Sequence, residues 1–140
     1  MFPHRSTNAG RLLMSAFVLF VAHMPVALAQ GGLPKPFAVQ LSDTTSDYQR
    51  VFAGPPQTKS MHSGLVVLAP NKSVGKHSTK SYEEAIVVLS GTGQFRVVDG
   101  PTIELRANAV VYCPPNKEHD VVNTGTTPLR YLYIAAKPGR

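Results

Sequence analysis

The chain has 140 residues, with 14 Lys and Arg against 8 Asp and Glu, a formal charge of +6, one Cys and no Trp. That length leaves room for one domain, and a single cysteine excludes a disulfide framework. With 43% apolar and 16% charged residues the chain can bury a core and is not wholly disordered, while 12 Pro and 11 Gly call for many turns and therefore short strands.

Residues 1–29 read as an export leader. Arg5 and Arg11 form a basic start, Leu12 to Ala22 an apolar run, and Ala27-Leu28-Ala29 a small-residue pattern that suits cleavage before Gln30. The run falls short of the roughly 20 apolar residues that span a bilayer, and His23 and Pro25 interrupt any longer helix, so no stable membrane insertion is expected. The mature chain is then periplasmic or secreted. Loss of Arg5 and Arg11 lowers the charge by two, and the remaining basic residues are scattered, so no nucleic-acid surface is expected. His4 and His23 leave with the leader, which keeps His62, His77 and His119.

Residues 30–60 read as a linker or edge segment: Gly- and Pro-rich to Pro36, polar from Ser42 to Ser60, with a turn at Gly54-Pro55-Pro56. From 61 to 137 the texture changes. Short apolar segments at 65–69, 85–89, 95–98, 103–105, 109–113, 121–122 and 129–136 alternate with turn signals such as Pro70-Asn71, Asp99-Gly100-Pro101, Pro114-Pro115-Asn116 and Asn123-Thr124-Gly125. Strands at this spacing, with no amphipathic helical window, indicate an all-β sandwich or barrel. The run Leu129–Ile134 is apolar on both faces save Arg130, as in a strand covered on two sides. Cys113 reads as a small buried core residue, His62 as a surface or interface histidine, and Tyr112, Tyr131 and Tyr133 as barrel core.

Two segments carry chemistry. The first, from Asn71 to Gly91, holds His77, Thr79, Glu84 and Gly91; the second, from Asn108 to Asn123, holds Pro114, Asn116, His119 and Asn123. Together they resemble the two signature motifs of the cupin superfamily, G-x5-H-x-H-x3,4-E-x6-G and G-x5-P-x-G-x2-H-x3-N. The resemblance covers residues 61–136 and implies a single-domain jelly-roll β-barrel. Four positions depart from it. Asn71, Asn108 and Asn116 stand where glycines are usual, and Thr79 stands where the second histidine is usual. Asn tolerates a left-handed turn backbone, so Asn116 is a mild change. Thr79 is not, because a hydroxyl is a poor neutral ligand for a first-row divalent ion.

What the resemblance leaves as a ligand set is His77, Glu84 and His119. An extended strand places His77 and Thr79 on one side, and a hairpin turn around Lys80 to Tyr82 is expected to bring Glu84 alongside on the next strand. Two imidazoles and a carboxylate suit non-haem Fe(II), and Mn, Ni, Zn and Cu accept the same donors. Adjacent strand residues face opposite ways, so Glu83 is expected in solvent once Glu84 points inward. Thr79 and Asn123 are candidate pocket residues, Asn123 equally a turn residue.

Cupins host several activities on one barrel. Beside the export expected from the leader, the resemblance implies a protein that binds a divalent metal and acts on a small organic molecule, in the manner of a dioxygenase or isomerase. The alternative is a non-catalytic module that captures a small molecule around a degenerate metal site, its two histidines serving as hydrogen-bonding pocket residues. A homodimer also follows from the family, with Phe37 to Gln40 adding to the partner's sheet edge.

Overall fold

The computed structural model describes residues 33–45 and 47–139, so the leader at 1–29 lies outside the described residues. No helix occurs among them. Nine strands follow in order: β1 Tyr48–Ala53, β2 His62–Leu68, β3 His77–Ser78, β4 Glu83–Ser90, β5 Thr92–Val97, β6 Thr102–Arg106, β7 Val110–Cys113, β8 Glu118–Val122 and β9 Leu129–Ala136. They form two antiparallel sheets that face each other, a five-stranded one ordered β1-β2-β9-β4-β7 and a four-stranded one ordered β3-β8-β5-β6. This is the expected all-β jelly-roll barrel.

Period-two alternation builds the interior. In β4, Glu84, Ile86 and Val88 are buried between less buried neighbours, and in β7, Val111 and Cys113 alternate with exposed Val110 and Tyr112. Phe95, Leu105 and Val121 from the second sheet meet Ile86, Val88, Leu129 and Tyr131 from the first in one core. On β9 no residue is fully exposed, in keeping with a strand covered on both faces. Tyr112 departs from expectation. It is 60% exposed rather than in the core, because alternation turns Val111 and Cys113 inward and Tyr112 out, where its hydroxyl donates to Glu83 at 3.1 Å.

The linker or edge segment contributes the sheet-edge strand β1. Its sequence hid this because the register against β2 shifts between Arg50 and Phe52, and such a bulge breaks the alternation that marks a strand. Phe37 to Gln40 forms no strand within the chain; the Gln40 carbonyl accepts from Gln49 Nε2 at 3.0 Å, and Phe37 meets Phe52 edge-on.

The turns show why asparagine serves where glycine is usual. Asn71, Asn108 and Asn116 have φ of 62°, 69° and 62°, all left-handed, so each supplies the backbone a glycine would. Gly91, at φ 84°, could not be replaced in this way. A Cβ there would stand 2.5 Å from the Pro128 carbonyl oxygen, so the return from β4 to β5 needs a residue without a side chain.

Candidate metal centre and its cavity

The two sheets meet at a cluster of His77, Glu84 and His119, with one donor atom from each lying within 4.8 Å of the others. His77 and His119 are directly opposite one another on β3 and β8, their ring centroids 4.5 Å apart. Glu84 comes from the other sheet. The turn at Lys80 to Tyr82 exists, with the Tyr82 amide donating to the Thr79 carbonyl, but it does not make a hairpin of β3 and β4. Lys80 sits at φ 54° and its carbonyl accepts from the Asn116 amide, so the turn caps one end of the barrel and hands the chain to the facing sheet, where β4 pairs with β7 and β9. The expected register of Glu84 beside His77 is thus corrected to one across the barrel.

Both imidazoles are held in one tautomer. His77 Nδ1 lies 2.9 Å from the Gly75 carbonyl oxygen and His119 Nδ1 lies 3.1 Å from that of Lys117, two residues back in each case. A carbonyl only accepts, so each Nδ1 carries the proton and each neutral ring keeps its Nε2 lone pair free. Backbone partners of this kind orient metal-binding histidines. His119 also stacks on Phe95 at 4.8 Å between centroids, and the Cys113 sulfur lies 3.5 Å from its Nδ1. Burial raises the pKa of that thiol, as does the Glu84 carboxylate, while Lys117 works against them. Cys113 is a buried, unactivated thiol.

Glu84 is 5% exposed and His119 fully buried. His119 Nε2 and Glu84 Oε2 approach to 3.1 Å, yet neither atom has a hydrogen-bond partner among the described residues. Two buried acceptors at this distance call for a positive centre, either a proton or a cation. Burial by itself lowers the His119 pKa; the Glu84 carboxylate, the Lys117 carbonyl and Asp120 outweigh it and hold His119 above its ordinary value. Two imidazole nitrogens and a carboxylate oxygen are borderline donors of the kind that first-row divalent ions take.

The remaining site residues divide. Thr79 faces the cavity, but its hydroxyl donates to the Tyr82 carbonyl at 2.9 Å and so holds the turn. Asn123 is fully buried, and its amide donates to the carbonyls of Leu68 and Thr127 while its oxygen accepts from the Gly125 amide. It serves as a turn residue, since its three bonds tie the end of β2 to the loop after β8, and it is not among the residues that line the cavity. Glu83 takes the outward position. His62 stays out of the cluster, packing edge-on against Tyr82 and over Gly54.

The cluster opens into a cavity of about 310 Å³ walled by Val66, Val74, Ile86, Val121, Tyr131 and Tyr133. Tyr133 shares a hydroxyl contact of 3.2 Å with Tyr48, across a surface that Gly64 leaves clear for both rings. Burial and the Tyr48 hydroxyl raise the Tyr133 pKa, with Arg50 partly offsetting. Sequence reasoning placed both tyrosines first as core, with a hydroxyl in the pocket as the alternative; that they line the cavity depends on the register of β9 against β2, which one strand's alternation does not reveal.

A two-sheet barrel with a histidine and carboxylate cluster between its sheets defines the class of protein. Residues 64–135 match the family described as "Cupin domain", and the chain belongs to the cupin family. It is similar in fold to the crystal structure of BH2720 from Bacillus halodurans, at 20% identity and a TM-score of 0.64 over 76% of this chain and 85% of that one. A Cupin 2 conserved barrel domain protein from Salinispora arenicola matches at 22% identity and a TM-score of 0.59 over 73% and 90%. A curated oxalate-binding protein of Thermotoga maritima is 31% identical over 67 residues, 48% of this chain and 54% of that protein. The chain thus spans about half the length of that relative.

Proposed function

We propose that this cupin binds one divalent first-row ion through His77 Nε2, Glu84 and His119 Nε2 and uses it to capture a small oxygen-rich anion. One observation carries the reading: two buried acceptors, His119 Nε2 and Glu84 Oε2, lie 3.1 Å apart with no hydrogen-bond partner among the described residues. The cavity supports the anion. Lys and Arg are absent from its lining residues, and Glu84 is negative, so an anion would be repelled there unless a cation offsets the carboxylate. A bound divalent ion supplies that charge as a Lewis acid. The chain's own part is to fix both tautomers through the carbonyls of Gly75 and Lys117, to exclude water with the valine and isoleucine walls, and to leave coordination positions open.

Capture is favoured over turnover by two observations. The Thermotoga relative is an oxalate-binding protein, and outside the ligand set the titratable groups lining the cavity are two tyrosines. Metal-dependent conversion of a small organic molecule is the second reading, favoured by the open positions that three donors leave. The leader pattern at 1–29 supports an activity outside the cytoplasm.

Calorimetry with oxalate tests the reading. Oxalate should bind protein loaded with Mn(II), Fe(II), Ni(II) or Zn(II) and not the chelator-treated protein. Equal binding to both, or binding to neither, would overturn it.

A further inference from the structure

We infer that a shallow pocket beside the cluster, walled by the rings of His62 and Tyr82, takes a flat apolar group carried by the captured anion, so the preferred ligand is an aryl-substituted acid larger than oxalate. The inference rests on the metal-organised reading above and names the ligand class within it. The pocket, of about 220 Å³, is lined by His62, Thr79, Tyr82 and Ala135. Thr79 also lines the metal cavity, so the two spaces share a wall and lie side by side.

Register fixes where this pocket lies. His62 on β2 pairs with Ala135 on β9, and Ala135 pairs with Glu84 on β4, so the three form one row across the sheet. Directly paired residues carry their side chains on the same face, so His62 is turned to the side that Glu84 occupies. Two strand spacings separate them, about 10 Å, with only the methyl group of Ala135 between. The imidazole lies over Gly54 and meets Tyr82 edge-on at 5.7 Å between centroids, which holds both rings as walls. No Lys or Arg lines the pocket, and the Thr79 hydroxyl is committed to the Tyr82 carbonyl, so a second carboxylate would gain little there. A phenyl group gains more, because aromatic rings pair edge-to-face or offset, and it fits, since an apolar cavity of about 150 Å³ already holds benzene. With the acid head at the metal, the ring must stand one to two strand spacings away, about 5–10 Å, a reach that two methylene groups between a 2-oxo acid and a phenyl ring supply.

The test uses Co(II)-loaded protein, whose visible spectrum reports ligands entering the metal's coordination sphere. The probes are oxalate, 2-oxobutanoate and 2-oxo-4-phenylbutanoate, the last two differing only in the ring. We expect the phenyl compound to bind about ten-fold or more tightly than 2-oxobutanoate, the gain that partial burial of a ring supplies. His62→Ala and Tyr82→Ala should each erase most of that preference, whereas His62→Phe, which keeps a ring and loses both nitrogens, should retain it. The ratio is taken between probes within each protein, so a modest loss of folding stability does not blur it. Equal affinities in the wild type, a preference that survives both alanine variants, or one that His62→Phe abolishes would overturn the inference. So would a spectrum that responds to oxalate and to neither 2-oxo acid, and in each of these cases the metal reading stands. Failure to hold Co(II), or a spectrum that no probe perturbs, would overturn the metal reading and this inference with it.

Discussion

Glu84→Gln should make the metal-free protein more stable and the metal-bound protein unattainable, two effects of opposite sign from one substitution. Above its raised folded value the His119 ring is neutral, its Nδ1 proton donated to the Lys117 carbonyl, so its Nε2 lone pair faces the buried Glu84 oxygen at 3.1 Å with nothing between them. A glutamine amide in the same place donates to Nε2 and removes a buried charge. A hydrogen bond contributes about 0.5–1.5 kcal/mol and relief of an unpaired buried polar atom about 1–3 kcal/mol. Discounting for imperfect amide geometry, a net gain of about 1–2 kcal/mol is expected, which raises Tm by roughly 4–16 °C in a domain of this size. At about pH 5.5 the balance changes. His119 is held above its ordinary value by Glu84, so the pair stabilises the native state fully below the unfolded value of 6.5 and loses that contribution as pH rises through the higher folded value. The metal-free wild type should therefore melt higher at about pH 5.5 than at about pH 9, and Glu84→Gln should flatten that difference. Excess Mn(II) or Zn(II) at about 100 times Kd should add about 2.7 kcal/mol to the wild type and nothing to the variant. Differential scanning fluorimetry at both pH values, with and without metal, reads all four quantities. A metal-free variant less stable than wild type at about pH 9, or one that keeps the metal-induced shift, would refute the reasoning.

Thr79→His should tighten metal binding in a chelator competition, because residue 79 faces the cavity; it removes the hydroxyl that holds the Tyr82 carbonyl and crowds the turn, for a cost of about 1–3 kcal/mol in chemical denaturation. Unchanged metal affinity would show that this position does not reach the ion. Asn123→Ala breaks three buried hydrogen bonds and should destabilise by about 3 kcal/mol or more, with metal stoichiometry retained by the folded fraction; a loss of metal at full stability would return Asn123 to the pocket. Intact-mass analysis of the exported protein should give a chain starting at Gln30, and full-length chain in the membrane fraction would contradict the leader reading.

The barrel was legible because its turns are punctuated by Asn, Gly and Pro and its strands β4 and β7 alternate cleanly. The candidate cluster was legible because His77, Glu84 and His119 keep the spacings of two motifs. What alternation could not reveal was pairing. Six residues lie between His77 and Glu84, and such a gap suits a hairpin as well as a crossing between sheets; only the Asn116 contact at Lys80 and the pairing of β3 with β8 decide it. β1 was hidden by its bulge, and Tyr112 was misplaced because apolar character alone does not say which face of an edge strand a tyrosine takes. That Tyr131 and Tyr133 line the cavity was hidden as well, because a cavity is a property of several strands at once.

The most direct test of the central claim is metal content after loading and desalting, measured by mass spectrometry on wild type, His77→Ala, Glu84→Ala, His119→Ala and Glu83→Ala. The account predicts close to one ion per chain in wild type and in Glu83→Ala, and loss of stoichiometric metal in the other three. Wild-type protein that retains no Fe(II), Mn(II), Ni(II) or Zn(II), or a His119→Ala variant that retains it in full, would contradict the account.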